Sequence, residues 1–313
     1  MLVLGIDGGG TKTLAALADR EGRVRYLGRG LETNPLDQPG WRDHLGEVVC
    51  QALTAADAPI SYAAIGLPAH DEVVSVSLAQ CDFLQTVLPC PFSIRNDVHT
   101  AHEGAFAGRP GVLLLAGTGS MCWAVDAAGQ HRRVGGWGWG FGDEGSAAWI
   151  GQQALSRASQ VFDGRRAGDG FVAAVLAAIG VPPQDAQDGM IRWFYDNPNP
   201  RRAVAALSAV VDREAQSGDA VAQSILAEAA DALALHIAAV HRLLVLPPDW
   251  CFVGGVSRSA AVRALLGQRL GSLPVSPILP PIGGALWRAA VEAGWRPDAD
   301  WTNRLSQELA THI

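Results

Sequence analysis

The sequence is poor in cysteine, short of positive charge and without a long apolar run. Its five cysteines, Cys50, Cys81, Cys90, Cys122 and Cys251, are odd in number and form no CxxC pair. That argues against a disulfide framework and a zinc ribbon, and reduced thiols of a cytoplasmic protein are expected. Lys and Arg total 24 against 31 Asp and Glu, a net charge of −7. Such a chain repels nucleic acid phosphates unless it carries a basic stripe. Its densest basic groups are the doublets Arg132-Arg133, Arg165-Arg166 and Arg201-Arg202, which read as solvated loop or helix ends, so no nucleic acid partner is expected. No uninterrupted apolar run reaches the roughly 18 residues that span a membrane. The stretch 232–246 is broken by His236, His241 and Arg242 and reads as a buried helix. The N-terminus has no basic region ahead of an apolar run, as a signal peptide would. No membrane partner is expected.

Hydrophobic residues make up 49% and charged residues 18% of the 313, enough for a large core and, at about 150 residues each, for two domains. Residues 2–6, 11–19 and 23–29 read as a β-meander whose first turn carries Gly8-Gly9-Gly10. A Rossmann opening would instead lead from its glycines into a helix. Helical spacing over 41–57, 71–88 and 98–107 alternates with apolar strands at 62–67, 91–95 and 112–116, and 121–126 returns as a strand. A strand runs into a glycine turn near residue 8 and again near residue 118, a hint of two related halves. The second half reads as helices at 144–163, 169–179, 186–195, 201–217, 219–246, 259–270 and 282–294, with strands at 250–254 and 274–278. The expected organisation is α/β, with one domain over 1–115, a second over 116–294, and the tail 295–313 packing back on the first.

Five stretches carry candidate chemistry. In Gly5–Thr13 (GIDGGGTKT) the glycines admit close backbone approach, and successive N–H groups can cradle phosphate oxygens. Gly9, Gly10, Thr11 and Lys12 are the candidate phosphate contacts. Asp7 at the strand end is a candidate Mg²⁺ ligand, directly or through water, because hard cations prefer carboxylate oxygen. The pattern is not a Walker A loop. Ala116–Ser120 (AGTGS) repeats strand, glycine turn and hydroxyls, which adds Thr118 and Gly119; paired with the first loop it points to ATP. Asn96-Asp97 ends an apolar strand, and Asp97 is either a general base for an attacking hydroxyl or a helix cap. Gly135–Ser146 (GGWGWGFGDEGS) alternates glycines with aromatics before an acidic pair. That suits a sugar, whose CH faces stack on Trp and whose hydroxyls bond to Asp, although Asp143 could only cap the next helix. Phe252–Ser257 (FVGGVS) brings a strand into two glycines, suited to close approach of a nucleoside.

These stretches, with Leu31–Asn34 (LETN), resemble the N-acetylglucosamine kinase group of the BadF/BadG/BcrA/BcrD ATPase family, in the actin, hexokinase and sugar-kinase superfamily. The resemblance covers nearly the whole chain, and GGWGWGFGDEGS is its sharpest motif. It implies two ribonuclease-H-like domains around a central cleft, with ATP and Mg²⁺ as cofactors, an amino-sugar substrate and a homodimer. Thr11 and Thr118 match phosphate-contacting threonines, and Asp97 matches the catalytic aspartate, which also touches the sugar. Asn34, Ser120, Gly136, Trp137, Gly138 and Asp143 match sugar contacts; Ala215, Gly254, Gly255 and Arg258 match the nucleoside side. Met121 stands where eukaryotic relatives place a polar residue near the sugar. A thioether cannot replace an amide hydrogen bond, so glucosamine is the alternative substrate. Two further alternatives are an ATPase activator of a radical dehydratase, with Cys122 and Cys251 as Fe–S candidates, and a sugar sensor of the repressor type. The latter needs a basic DNA-binding segment that the sequence does not provide.

Overall fold

The computed structural model describes residues 1–9 and 12–312. The chain divides into two compact units, 1–111 with 276–313, and 112–275.

The first unit opens with β1 (Leu2–Gly8), β2 (Thr13–Asp19) and β3 (Val24–Gly30), followed by α1 (Trp41–Ala55), β4 (Ile60–Leu67), α2 (Val74–Val87), β5 (Phe92–Asn96) and α3 (Asp97–Phe106). The strands lie in the order β3-β2-β1-β4-β5. β1 pairs antiparallel with β2 and parallel with β4, and β4 pairs parallel with β5. Alternate side chains of a strand point to opposite faces. Leu2, Leu4 and Ile6 therefore pack with Leu45, Val48 and Val49 of α1 and Leu84 of α2, while Val3 faces the other way.

The second unit contains β6 (Gly111–Ala116), β7 (Ser120–Val125) and β8 (His131–Gly135), then α4 (Ala147–Phe162), α5 (Asp169–Ile179), α6 (Ala186–Tyr195), α7 (Pro200–Ala206), α8 (Ser208–Gln216) and α9 (Ala220–Leu243). β9 (Trp250–Val253) and α10 (Ala260–Leu270) complete it. Its sheet runs β8-β7-β6-β9, the same meander-then-parallel-strand order as the first unit. The segment expected to be one helix over 201–217 breaks at Leu207 into α7 and α8. The strand expected at 274–278 is a single bridge from Val275 to Cys251. α9 is long and apolar enough to cross a membrane, but Ile225, Ala229, Leu233 and Ile237 are buried with Val112, Leu114, Ile150 and Phe171 in the core of this unit.

The chain then returns to the first unit as α11 (Pro281–Glu292) and α12 (Ala299–His312). This corrects the expected domain limit at 294: Ile282 and Leu286 of α11 and Leu305 and Leu309 of α12 pack beneath Val3, Leu14 and Ala16. α11 also crosses α3 closely. A side chain on Gly284 would strike the Thr100 carbonyl and the Gly104 N–H, so only glycine lets the two helices meet there.

Candidate active site

Ligands of open α/β sheets bind at the carboxyl ends of the strands. In the first unit that edge carries two acids. Asp7, paired with Gly66 of β4, is the last residue but one of β1, and Asp97 directly follows Asn96, the last residue of β5, which pairs with Leu67. β4 lies between, so the two strands run about 10 Å apart. Burial pushes the Asp7 carboxyl up to about 7, with the Lys12 ammonium opposing. Lys12 is the only lysine in the sequence. The Gly9 N–H donates to the Lys12 carbonyl at 3.0 Å, and the Gly9 carbonyl accepts the Thr33 N–H at 3.3 Å. That second bond brings Asn34 beside the glycine turn. Asn34 is 9% exposed; its Oδ1 accepts the Leu36 N–H at 3.2 Å and its Nδ2 donates to Asp37 at 2.6 Å. Gly10 and Thr11 lie outside the described residues.

The cap of α3 is Asn96, whose Oδ1 accepts the Val98 N–H at 3.0 Å. Asp97 is the first helical residue, partly exposed, and its Oδ1 also reaches the Val98 N–H at 2.9 Å. The Asn96 amide donates to the His70 carbonyl at 3.1 Å and to Glu72 Oε1 at 2.9 Å. Ala69 and Asp71, which present this turn, have φ of 61° and 62°, a strained conformation for residues with a side chain. Burial, then the negative charges of Asp7 and Glu72, push the Asp97 carboxyl up to about 7, against the Val98 N–H. A carboxyl titrating near neutrality is matched to general base work. Glu72 has no signal of its own in the sequence; the two left-handed residues place it.

In the second unit the Gly117 and Thr118 carbonyls accept the N–H groups of Ala147 and Ala148 at 2.8 and 3.3 Å, which seats the turn on the start of α4. The Ser120 hydroxyl donates to the Glu144 carbonyl at 2.8 Å and is 2% exposed, so it anchors the loop. Met121 is buried, and its methyl fills the place a Gly136 side chain would take. Trp137 is 67% exposed. The Arg133 guanidinium lies 5.6 Å from its ring centre and donates to the carbonyls of Gly135, at 3.1 Å, and Gly136. Gly138 follows with φ of 91°.

Asp143 is 3% exposed and holds a left-handed φ of 55°. Its carboxylate pairs with Arg201 at 3.1 Å. Burial raises its pKa, and the Arg201 guanidinium opposes the rise. The cap of α4 is Ser146, whose Oγ accepts the Trp149 N–H at 3.1 Å; Asp143 thus ties its loop to α7. Arg133 and Arg201 both belong to doublets that read as solvated.

Gly254, with φ of 95°, lies against the Ala116 carbonyl, so the 254–255 turn abuts the Gly117–Thr118 turn. No atom stands within 4 Å of the place a Gly255 side chain would take. Arg258 is exposed at the end of the short 3₁₀ turn Gly255–Arg258. Ala215 is buried in α8, and α8 is joined to the residue after that turn by the Ser259–Asp212 hydrogen bond.

The candidate residues thus gather within each unit: Asp7, Lys12, Asn34 and Asp97 in one, the Thr118 turn, the Trp137 loop, Asp143 and the Gly254 turn in the other. Residues 4–288 match the BadF/BadG/BcrA/BcrD ATPase family. The chain is 28% identical over 247 residues to an N-acetylmuramic acid/N-acetylglucosamine kinase of Clostridium acetobutylicum, covering 77% of this chain and 80% of the relative. It is 25% identical over 325 residues to the N-acetyl-D-glucosamine kinase of Dictyostelium discoideum, covering 91% and 97%. A provisionally named N-acetylglucosamine kinase of Chromobacterium violaceum has a solved structure that superposes with a TM-score of 0.76 at 26% identity, over 92% of this chain and 98% of that one. The two sheets are those of a pair of ribonuclease-H-like domains, and the chain belongs to the BadF/BadG/BcrA/BcrD ATPase family.

Proposed function

We propose that the protein is a cytoplasmic amino-sugar kinase that transfers the γ-phosphoryl group of ATP to the 6-hydroxyl of N-acetylglucosamine. The observation that carries this reading is Asp97: a carboxyl just past the end of β5, next to the Asn96 that caps α3 and pushed up to about 7, which can take a proton from an alcohol near neutral pH. In the proposed step Asp97 accepts the proton of the hydroxyl as that oxygen bonds to the γ-phosphorus. The bond between the γ-phosphorus and the bridging oxygen breaks, and ADP leaves with the electron pair.

Gly9, Gly10, Thr11, Lys12, Thr118 and Gly119 are the phosphate contacts. Ala215, Gly254, Gly255 and Arg258 serve the nucleoside. Asn34, Ser120, Met121, Gly136, Trp137, Gly138 and Asp143 form the sugar side, with Ser120 and Met121 acting by shaping the loops. Among the described residues no three His, Cys, Asp or Glu side chains form a metal cage. That fits Mg²⁺, which is usually held by one or two carboxylates together with substrate phosphates. Asp7 is the residue that would hold it, and bound there it would neutralise phosphate charge.

The names of the two relatives agree on N-acetylglucosamine. Met121 offers no hydrogen bond to an acetyl amide and is buried, which keeps glucosamine as the second reading. The activator reading is disfavoured by the thiols themselves. Cys122 and Cys251 are fully buried, and burial pushes the first far up and the second to about 11, whereas cluster ligands are thiolates. ADP release should be screened with N-acetylglucosamine, glucosamine, N-acetylmuramic acid, glucose and N-acetylmannosamine. Release that depends on N-acetylglucosamine supports the proposal. Release that no sugar stimulates would overturn it.

A further inference from the structure

Arg201 belongs to α7, a helix that supplies nothing to the reaction as proposed above. Its place is nevertheless fixed. Pro200 opens α7 and the Asn199 side chain caps it through the Arg202 N–H at 3.1 Å, which sets the helix start. α7 is pressed on α4, where a side chain at Gly151 would strike the Val204 carbonyl. α4 is in turn capped by Ser146, three residues after Asp143. The Arg201 guanidinium is thereby held against the Asp143 carboxylate at 3.1 Å.

An ionised carboxylate has about four acceptor positions. At Asp143 the Arg201 guanidinium takes one of them, on Oδ2 at 3.1 Å. The ion pair also closes on the phosphate turn: a side chain at Gly119 would stand 2.7 Å from Asp143 Oδ2 and 2.9 Å from Arg201 Nη2.

We infer that Arg201 is a positioning residue of the sugar site, orienting the Asp143 carboxylate so that an acceptor position not taken by the guanidinium faces a sugar hydroxyl. This rests on the reading of Asp143 as a sugar contact. Burial alone favours the neutral form of Asp143, whose O–H donates and which keeps fewer acceptor positions than the carboxylate. Arg201 is the charged group beside Asp143 that counters it. Loss of Arg201 therefore weakens sugar binding most at low pH, where Asp143 is first to lose its charge.

The test is the dissociation constant of N-acetylglucosamine, by calorimetry from mildly acidic to mildly alkaline pH, with kcat at saturating sugar. Arg201→Met should weaken binding on the order of tenfold near neutrality, more at lower pH, with kcat within about twofold of wild type because Arg201 does not touch the reacting atoms. Arg201→Lys, which keeps a cation, should recover part of the loss. Binding by Arg201→Met equal to wild type, or a loss that does not vary with pH, overturns the inference. Asp143→Ala separates the two levels. If it weakens binding and Arg201→Met does not, the inference alone fails; if it leaves binding intact, the sugar reading of Asp143 fails and the inference with it.

Discussion

The Asn96 amide donates to Glu72 Oε1 at 2.9 Å while its carbonyl oxygen caps α3 through Val98 at 3.0 Å. One side chain therefore joins the strained turn after β4 to the helix that Asp97 begins. Asn96→Ala removes both bonds. Loss of the cap should cost about 1 kcal/mol in denaturant unfolding, and kcat should fall on the order of tenfold as the first turn of α3 loosens around Asp97. A normal kcat with reduced stability would confine Asn96 to folding.

Glu72→Gln keeps an acceptor for Asn96 but removes a negative charge that raises Asp97. The carboxylate form of Asp97 becomes easier to reach. The acid limb of kcat against pH should move to lower pH, with plateau activity slightly reduced because a weaker base takes the proton less readily. An unmoved limb would mean that the Glu72 charge is not felt at Asp97.

The same acid lowers stability. Asp97 titrates at about 7 in the folded chain against an ordinary 3.8, so between these values the folded state binds more protons than the unfolded one. Stability from this group is present below the ordinary value and falls as pH rises through about 7. Asp97→Asn should raise the melting temperature by several degrees at mildly alkaline pH and barely change it in mild acid. Asp7, also pushed to about 7, should behave alike. A melting temperature raised equally at both pH values would contradict the assigned titration.

Gly284→Ala tests the α3–α11 crossing. The added methyl meets the Thr100 carbonyl and the Gly104 backbone, neither of which can turn aside, so unfolding should cost about 1–3 kcal/mol less. Activity should fall with it, because α3 carries Asp97. A wild-type unfolding midpoint would show that the helices are not in contact there.

Much of the site was legible because its signals are local. The glycine turn after β1, the acid at the end of β5 and the GGWGWGFGDEGS stretch are each read from consecutive residues. What escaped depends on partners distant in sequence. Whether Asp97 capped its helix turned on Asn96, held by a turn 24 residues earlier. Arg201 meets Asp143 across 58 residues, and beside Arg202 it read as a solvated doublet. β8 went unread because its His131 and Arg132 are exposed on an edge strand, which leaves no alternation of apolar residues. The break at Leu207 is hidden because that residue keeps nearly helical angles, φ −67° and ψ −18°. α11 was given to the wrong half because position in the chain says nothing of a return to the first sheet.

The most direct measurement compares wild type with Asp97→Asn for ADP formation and for ATP binding, in the presence and absence of N-acetylglucosamine. The account predicts sugar-dependent turnover in the wild type. In the variant turnover should fall on the order of a thousandfold or more, within the range for loss of a general base, with ATP affinity within about threefold because Asp97 makes no nucleotide contact in this mechanism. Turnover by the variant at the wild-type rate would contradict it.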